Sequence, residues 1–169
     1  MVVLESRDVE NRWRVCALID GIESMSNDTT RSLTPEGTRI VVGVDGSPCA
    51  FRALEYAAEQ AANTGSILQI VTVYNEFPGL NPFGPVLDQE KARALVRAAI
   101  DKVHESHPEV VTSGKTGNGV AGSVLSDASE EASELVFGTR GHGQIVGAVL
   151  GSVSEYVIHH AHCTTAVVH

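Results

Sequence analysis

The sequence predicts an α/β protein built on an open five-stranded parallel sheet with helices on both faces. Two observations predict it. Apolar, β-branched runs such as Arg39–Val44 and Ile67–Tyr74 are nearly continuous, the mark of strands covered on both sides. Between these runs lie segments whose apolar residues recur at helical spacing, so strands and helices alternate along the chain. At 169 residues, 43% hydrophobic and 20% charged, the chain has the length and composition of one ordinary globular domain.

Residues 1–37 are read as a flexible N-terminal extension and 38–169 as the domain. Glu5 to Arg14 is mostly charged, Asp20 to Gly37 is rich in Ser, Thr, Asn, Asp and Glu, and the longest apolar run, Val15–Ile19, is fit for a small strand or helical turn. So little apolar surface does not offset the entropy of ordering the chain. The tail carries the single tryptophan, Trp13, which suits a linker or a segment that docks on a partner.

Arg39-Ile-Val-Val-Gly-Val44 reads as the first strand, ended by Asp45-Gly-Ser-Pro48. Ser47 then Pro48 is an N-cap followed by the first helical position. Phe51, Leu54, Ala57, Ala58 and Ala61 share one face of that helix, and Gly65 stops it. Ile67–Tyr74 is the second strand. The following loop, 75–86, holds three prolines and two glycines and should be irregular. Asp88 caps a second helix with Ala92, Leu95, Val96, Ala99 and Val103 on its buried face, stopped by Pro108. Glu109–Ser113 is a weaker third strand, followed by a turn cluster at Lys115–Gly119. Val120 or Ala121, Val124, Leu125, Ala128 and Ala132 give a third helix. Glu134–Phe137 is the fourth strand. Val153, Val157, Ile158 and Ala161 mark a fourth helix, and Thr164–Val168 is a short final strand at the sheet edge.

Composition removes several function classes. Net charge is −9 and the Arg and Lys residues form no basic run, which argues against nucleic acid as a partner. No apolar run approaches the ~20 residues of a membrane helix, and the longest at the N-terminus, Val15–Ile19, falls short of the ~7–15 of a secretory signal. The three cysteines, Cys16, Cys49 and Cys163, are far apart and odd in number, which fits a reducing cytoplasm.

The stretch Gly138 to Ser154 holds the chemistry. It joins the fourth strand to the fourth helix with Gly138, two residues, Gly141, nine residues, then Gly151-Ser152. A strand, glycine loop and helix N-terminus suit an anion, because first-turn N–H groups are unpaired and carry the positive dipole end. It is not a P-loop, which needs a lysine that this stretch lacks. It is not a dinucleotide fingerprint either, since after Gly141 and Gly143 the last required glycine is Val146.

The spacing resembles the nucleotide-binding signature of the universal stress protein (UspA-like) family, in its ATP-binding branch. Arg39-Ile-Val-Val-Gly-Val-Asp-Gly-Ser47 is similar to the family's first strand and turn. Gly119-Val-Ala-Gly-Ser123 sits where the family has a Gly-x-Pro-Ala turn, with Ala121 for the proline and Gly122 for the alanine. Val157-Ile-His-His-Ala-His-Cys163 and the last strand match the family's ending. Glu134 stands for a usual aspartate and Thr164 for a proline, departures that touch packing rather than the loop.

The resemblance implies strand order 3-2-1-4-5, a Rossmann-like sheet of the adenine nucleotide alpha hydrolase type. Order would then reverse between the first and fourth strands, the switch point where such sheets bind ligands. It also implies an ATP site. Asp45, with backbone at Gly43 and Val44, would hold the adenosine end, the carboxylate bonding to ribose. Val73 and Phe137 would wall the base. Backbone N–H groups at Gly138, Gly141 and His142 would line the phosphate path, and Gly151, Ser152, Val153 and Ser154 would close on the phosphates. Arg140 and His142 could add positive charge. Mg2+ would be held mainly by the phosphates and water. The family dimerises through its last strand, so a homodimer is implied. Three functions follow: an ATP-occupied stress-response regulator, an enzyme with at most slow ATP hydrolysis, or a dimeric scaffold that binds no nucleotide. Gln144 is the one candidate to position a water, and no catalytic lysine is evident.

Plainer readings stand beside these. Ser152 with Glu155 has the spacing of a capping box. His159, His160 and His162 end a helix, where imidazolium suits the dipole, and neighbouring positions do not share a face to hold a metal. Cys163 is read as a small buried residue at a strand start rather than a nucleophile.

Overall fold

The computed structural model describes residues 3–4, 39–75, 87–139 and 151–169. Its elements in chain order are β1 (Val3–Leu4), β2 (Arg39–Gly43), α1 (Pro48–Thr64), β3 (Ile67–Tyr74), α2 (Gln89–Ser106), β4 (Thr112–Asn118), α3 (Ala121–Ser129), β5 (Glu134–Gly138), α4 (Ser152–His160) and β6 (Thr164–Val168). The sheet runs β1-β6-β5-β2-β3-β4. From β4 to β6 every pair is parallel, so the expected five-stranded order is observed. The expectation that the last strand forms an edge is corrected. β1 pairs antiparallel with β6, setting Val3 opposite Ala166 and Leu4 opposite Thr165. Val15–Ile19 and the 76–86 part of the proline-rich loop lie outside the described residues.

Two apolar layers sandwich the sheet. On one face, α1 and α2 pack on Ile40, Val42, Leu68, Ile70 and Val136. On the other, Leu125 of α3 and Val157 of α4 pack on Val41, Val71, Leu135 and Phe137. Val41 and Val42, on opposite faces of β2, are both fully buried, which is why the strand shows no polar alternation.

The predicted stops and starts hold. The Ser47 hydroxyl accepts the Ala50 N–H at 3.2 Å, Pro48 opens α1, and Gly65 closes it in the left-handed region at φ 68°. The Asp88 carboxylate caps α2 by accepting the Lys91 N–H at 2.8 Å. The third strand is a correction: β4 spans Thr112–Asn118, over residues expected to turn, while Glu109 to Val111 leads into it. Its glycines hid it. A Cβ on Gly114 would lie 2.4 Å from Val96, and one on Gly117 would lie 2.3 Å from Val124, so helix valines occupy the space. Glycine weakens a strand by propensity alone; here two glycines admit helices on both faces. α3 ends at Ser129, leaving Ala132 in the following turn, and Val120 is exposed rather than part of the buried face.

Candidate functional site

The crevice lies at the carboxyl ends of β2 and β5. The chain leaves β2 for β3 on one side and reaches β5 on the other, so these neighbours mark the switch point. Val42 pairs with Val136, and Asp45 and Thr139 each stand three residues beyond that pair. One flank is therefore the Asp45–Ser47 turn and the other is the stem of the glycine loop.

On the first flank, Asp45 Oδ1 accepts the Ser47 N–H at 2.9 Å, fixing the carboxylate at the mouth of the turn. Gly46 allows the bend with φ 86°. Val44 is anchored through both backbone groups: its N–H donates to the Val71 carbonyl at 2.9 Å, and its carbonyl accepts the buried Thr72 hydroxyl at 2.9 Å. Gly43 leaves room for Leu125, whose Cδ1 would lie 3.0 Å from a Cβ there. Val73 is half-buried near the end of β3, and Val44 is buried beside it in sequence register with Thr72 and Val71.

On the second flank, Gly138 and Thr139 end β5, and Gly151 opens α4. The Gly151 N–H donates to the Thr139 carbonyl at 2.9 Å, which closes the stem. The Ser154 hydroxyl donates to the Gly138 carbonyl at 3.1 Å and lies 3.4 Å from the Thr139 carbonyl. Ser154 is 3% exposed, so its side chain ties helix to stem. Phe137 is also 3% exposed and packs in the apolar layer under α3 and α4. Ser152 and Val153 are exposed in the first turn of α4. Gly141 and His142 lie outside the described residues, as do Arg140 and Gln144.

The capping box is corrected. Gly151, not Ser152, is the N-cap of α4, with extended φ −80° and ψ 161°, and no side chain caps it. Ser152 is thus already helical, one position too late to bond the first-turn N–H groups. The first turn of α4 presents donors and the positive dipole end, and no side chain among the described residues caps them. Residues absent from the sequence reading also meet here. Thr139 is buried and bonded through its N–H, carbonyl and hydroxyl. Its place beside Gly138 was the only available signal.

The other candidates sit elsewhere. Cys163 is buried at the amino end of β6, and burial, then the Glu134 charge, push its thiol up to about 11. Burial raises the Glu134 carboxyl as well. His160 stacks on Tyr156 with ring centroids 4.0 Å apart, and His162 Nε2 stands 4.0 Å from Glu130 Oε1. Among the described residues no three His, Cys, Asp or Glu side chains gather to hold a metal ion.

The model of the universal stress protein family matches residues 37–169. The chain belongs to the universal stress protein family. Universal stress protein Rv1996 of Mycobacterium tuberculosis is 31% identical over 150 residues, covering 76% of this chain and 47% of its own length. Universal stress protein Rv2623 of the same organism is 31% identical over 146 residues, with 77% and 47% covered. The chain thus spans about half the length of these curated relatives. Among solved structures, a universal stress protein in complex with cAMP is 29% identical, with a TM-score of 0.61 over 80% of this chain and 98% of that one. The universal stress protein from Archaeoglobus fulgidus, at 22% identity and a TM-score of 0.61 over 80% and 100%, shares the fold. In the universal stress protein frame, the departure at Gly122 has a packing role. Gly122 admits Tyr156 of α4, whose ring carbons would lie 2.7 and 2.9 Å from a Cβ.

Proposed function

We propose that this universal stress protein domain binds ATP in the crevice between β2 and β5, and that nucleotide occupancy makes it a stress-response regulator. The observation that carries the proposal is the pairing of two unlike flanks at the switch point. One offers a carboxylate, Asp45, suited to ribose hydroxyls. The other offers the first turn of α4, which no side chain caps. Neutral backbone donors suit a polyphosphate in a chain of net charge −9. In this reading Gly43, Val44 and Asp45 take the adenosine end, with Val73 and Phe137 toward the base. Gly138, Gly141, His142 and the Gly151–Ser154 turn take the phosphates. Mg2+ would neutralise the phosphates while held by them and by water.

The relative solved with cAMP supports nucleotide binding and favours a second reading, in which a cyclic monophosphate is the ligand. Mass spectrometry of the chain purified without added nucleotide, then titration with ATP and cAMP with and without Mg2+, separates them. Retained ATP supports the first reading, and tighter binding of cAMP supports the second. No binding of either at millimolar concentration overturns both and leaves a scaffold. ATP retained unchanged over hours speaks for a switch, whereas steady conversion to ADP speaks for an enzyme.

We also propose that two copies associate through β6 in the cytoplasm. The strand is short, apolar and free of proline and lysine. A second copy would have to displace Val3 and Leu4 from Ala166 and Thr165. No helix among the described residues is long and apolar enough to cross a membrane. Sedimentation across a concentration series tests the dimer, and a single monomeric species throughout would overturn it.

A further inference from the structure

We infer that His169 is a positioning residue for the crevice, holding the stem beneath α4 against the N-terminal turn of α1; the inference rests on the nucleotide reading for its functional consequence. His169 follows β6 and makes two contacts of different origin. Its ring Nδ1 lies 3.1 Å from the Thr139 hydroxyl, one group donating and the other accepting according to the tautomer. Its backbone carbonyl accepts the Arg52 Nε–H at 3.1 Å. Arg52 stands in the second turn of α1, and its Nη2 donates to Cys49 Sγ at 3.0 Å. Cys49 in turn abuts Gly138, where a Cβ would lie 2.9 Å from its carbonyl carbon.

These contacts run as a chain from one flank of the crevice to the other. From the Asp45 turn it runs through Cys49 and Arg52 of α1 to His169, on to Thr139, and by the Gly151 N–H to the start of α4. The ladder already ties Thr139 to β6, since its N–H donates to the Val168 carbonyl at 2.8 Å. That bond fixes Thr139 within the sheet. Among the described residues, the His169 clip is the hydrogen-bonded link from Thr139 sideways to α1, beside the packing of Gly138 on Cys49. Thr139 is 8% exposed, so its hydroxyl has little water to replace the imidazole. The α4 N-terminus hangs from the Thr139 carbonyl, so freeing Thr139 loosens the phosphate end of the site and leaves the Asp45 end in place.

The test uses the full chain and three substitutions. His169→Ala removes the ring and keeps the carbonyl that Arg52 binds. Thr139→Val removes the hydroxyl and keeps the backbone bonds. His169→Gln returns a polar group able to reach Thr139. Amide exchange of the nucleotide-free protein is read at Gly151 and Thr139, with Val41 and Val42 of the central strand as controls. His169→Ala should speed exchange at Gly151 about five- to tenfold, the worth of one hydrogen bond, without moving the controls. The double variant with Thr139→Val should do no more than either alone, and His169→Gln should restore most of the protection. ATP should bind about five- to tenfold more weakly to His169→Ala, while adenosine changes less than about twofold. Unchanged Gly151 exchange, or equal acceleration at every amide, overturns the positioning role. Should the wild-type chain bind neither ATP nor adenosine while Gly151 still responds, the nucleotide reading fails and the positioning role stands.

Discussion

Gly138→Ala tests whether the crevice is held by contact between α1 and the stem. A Cβ at 138 would lie 2.9 Å from both the carbonyl carbon and the Cβ of Cys49, and 3.1 Å from its oxygen. Two of these three atoms are backbone in the first turn of α1, so no rotamer change relieves the clash. Ordinary contact begins at 3.4 Å, so α1 or the stem must give way by about half an ångström. Overpacking of this kind costs about 1–3 kcal/mol. For a domain of this size each kcal/mol lowers Tm by about 4 °C, so thermal unfolding should shift down by ~4–12 °C. The displacement also strains the Ser154 hydroxyl bond to the Gly138 carbonyl, so ATP affinity measured by calorimetry should fall too. Gly65→Ala is the control. It introduces strain at φ 68° with nothing within 4 Å, at the far end of α1. It should cost about 1–2 kcal/mol and leave ATP affinity alone. A Gly138→Ala protein melting within 2 °C of wild type, by this ~4 °C per kcal/mol scale, would refute the close approach. A destabilised protein with unchanged ATP affinity would separate the stem from the site.

Asp45→Asn keeps an oxygen to accept the Ser47 N–H but removes the charge, so ATP should bind about tenfold more weakly with little change in Tm. The same substitution should erase the preference for ATP over its 2′,3′-dideoxy analogue if the carboxylate holds the ribose. The Cys163 thiol, raised from 9.0 to about 11, should make stability fall as pH rises between those values. The sign follows because the unfolded thiol ionises first, so the stability is whole below pH 9 and lost toward 11. Denaturant titrations of wild type and Cys163→Ala across that window should converge in slope only if another group, such as Tyr56, dominates. Thr165 is buried with no partner for its hydroxyl among the described residues, so Thr165→Val should raise stability by about 1 kcal/mol, read as a higher denaturant midpoint.

Elements whose local signals agreed with their burial were legible in the sequence. β2 and β3 are buried on both faces and read as apolar runs, and α1 and α2 carry their own caps and stops. β4 was not legible, because its composition answers to the helices above and below it. Gly114 and Gly117 are there to admit Val96 and Val124, and no pattern within the strand says so. The two flanks of the crevice were visible as Asp45 and the glycine spacing. The groups that set their separation were not. Thr139, Arg52 and His169 are 30 or more residues apart pairwise, save through the fold, and Thr139 and His169 meet only because β5 and β6 are neighbours. A cap was misread at α4 because the S-x-x-E spacing is indifferent to a shift of one residue in where the helix begins.

How the four helices begin argues for the polarity of the ligand. α1 and α2, on one face of the sheet, are each capped by a side chain, Ser47 and Asp88. α3 and α4, on the other, start at Val120 and Gly151 with no side-chain cap. A side-chain cap satisfies first-turn N–H groups that an anion would otherwise take. The N-terminus of α1 is therefore already answered, although it stands beside the crevice, and Asp45 adds negative charge there. The N-terminus of α4, across the same crevice, has no side-chain cap among the described residues. On the proposed nucleotide reading, Coulomb repulsion at the first flank and the first-turn donors at the second would both favour ribose toward Asp45 and phosphates toward α4. The opposite orientation would set phosphates against a carboxylate and leave the first turn of α4 unbonded. This chain's own caps thus favour one direction of binding before any ligand contact is counted.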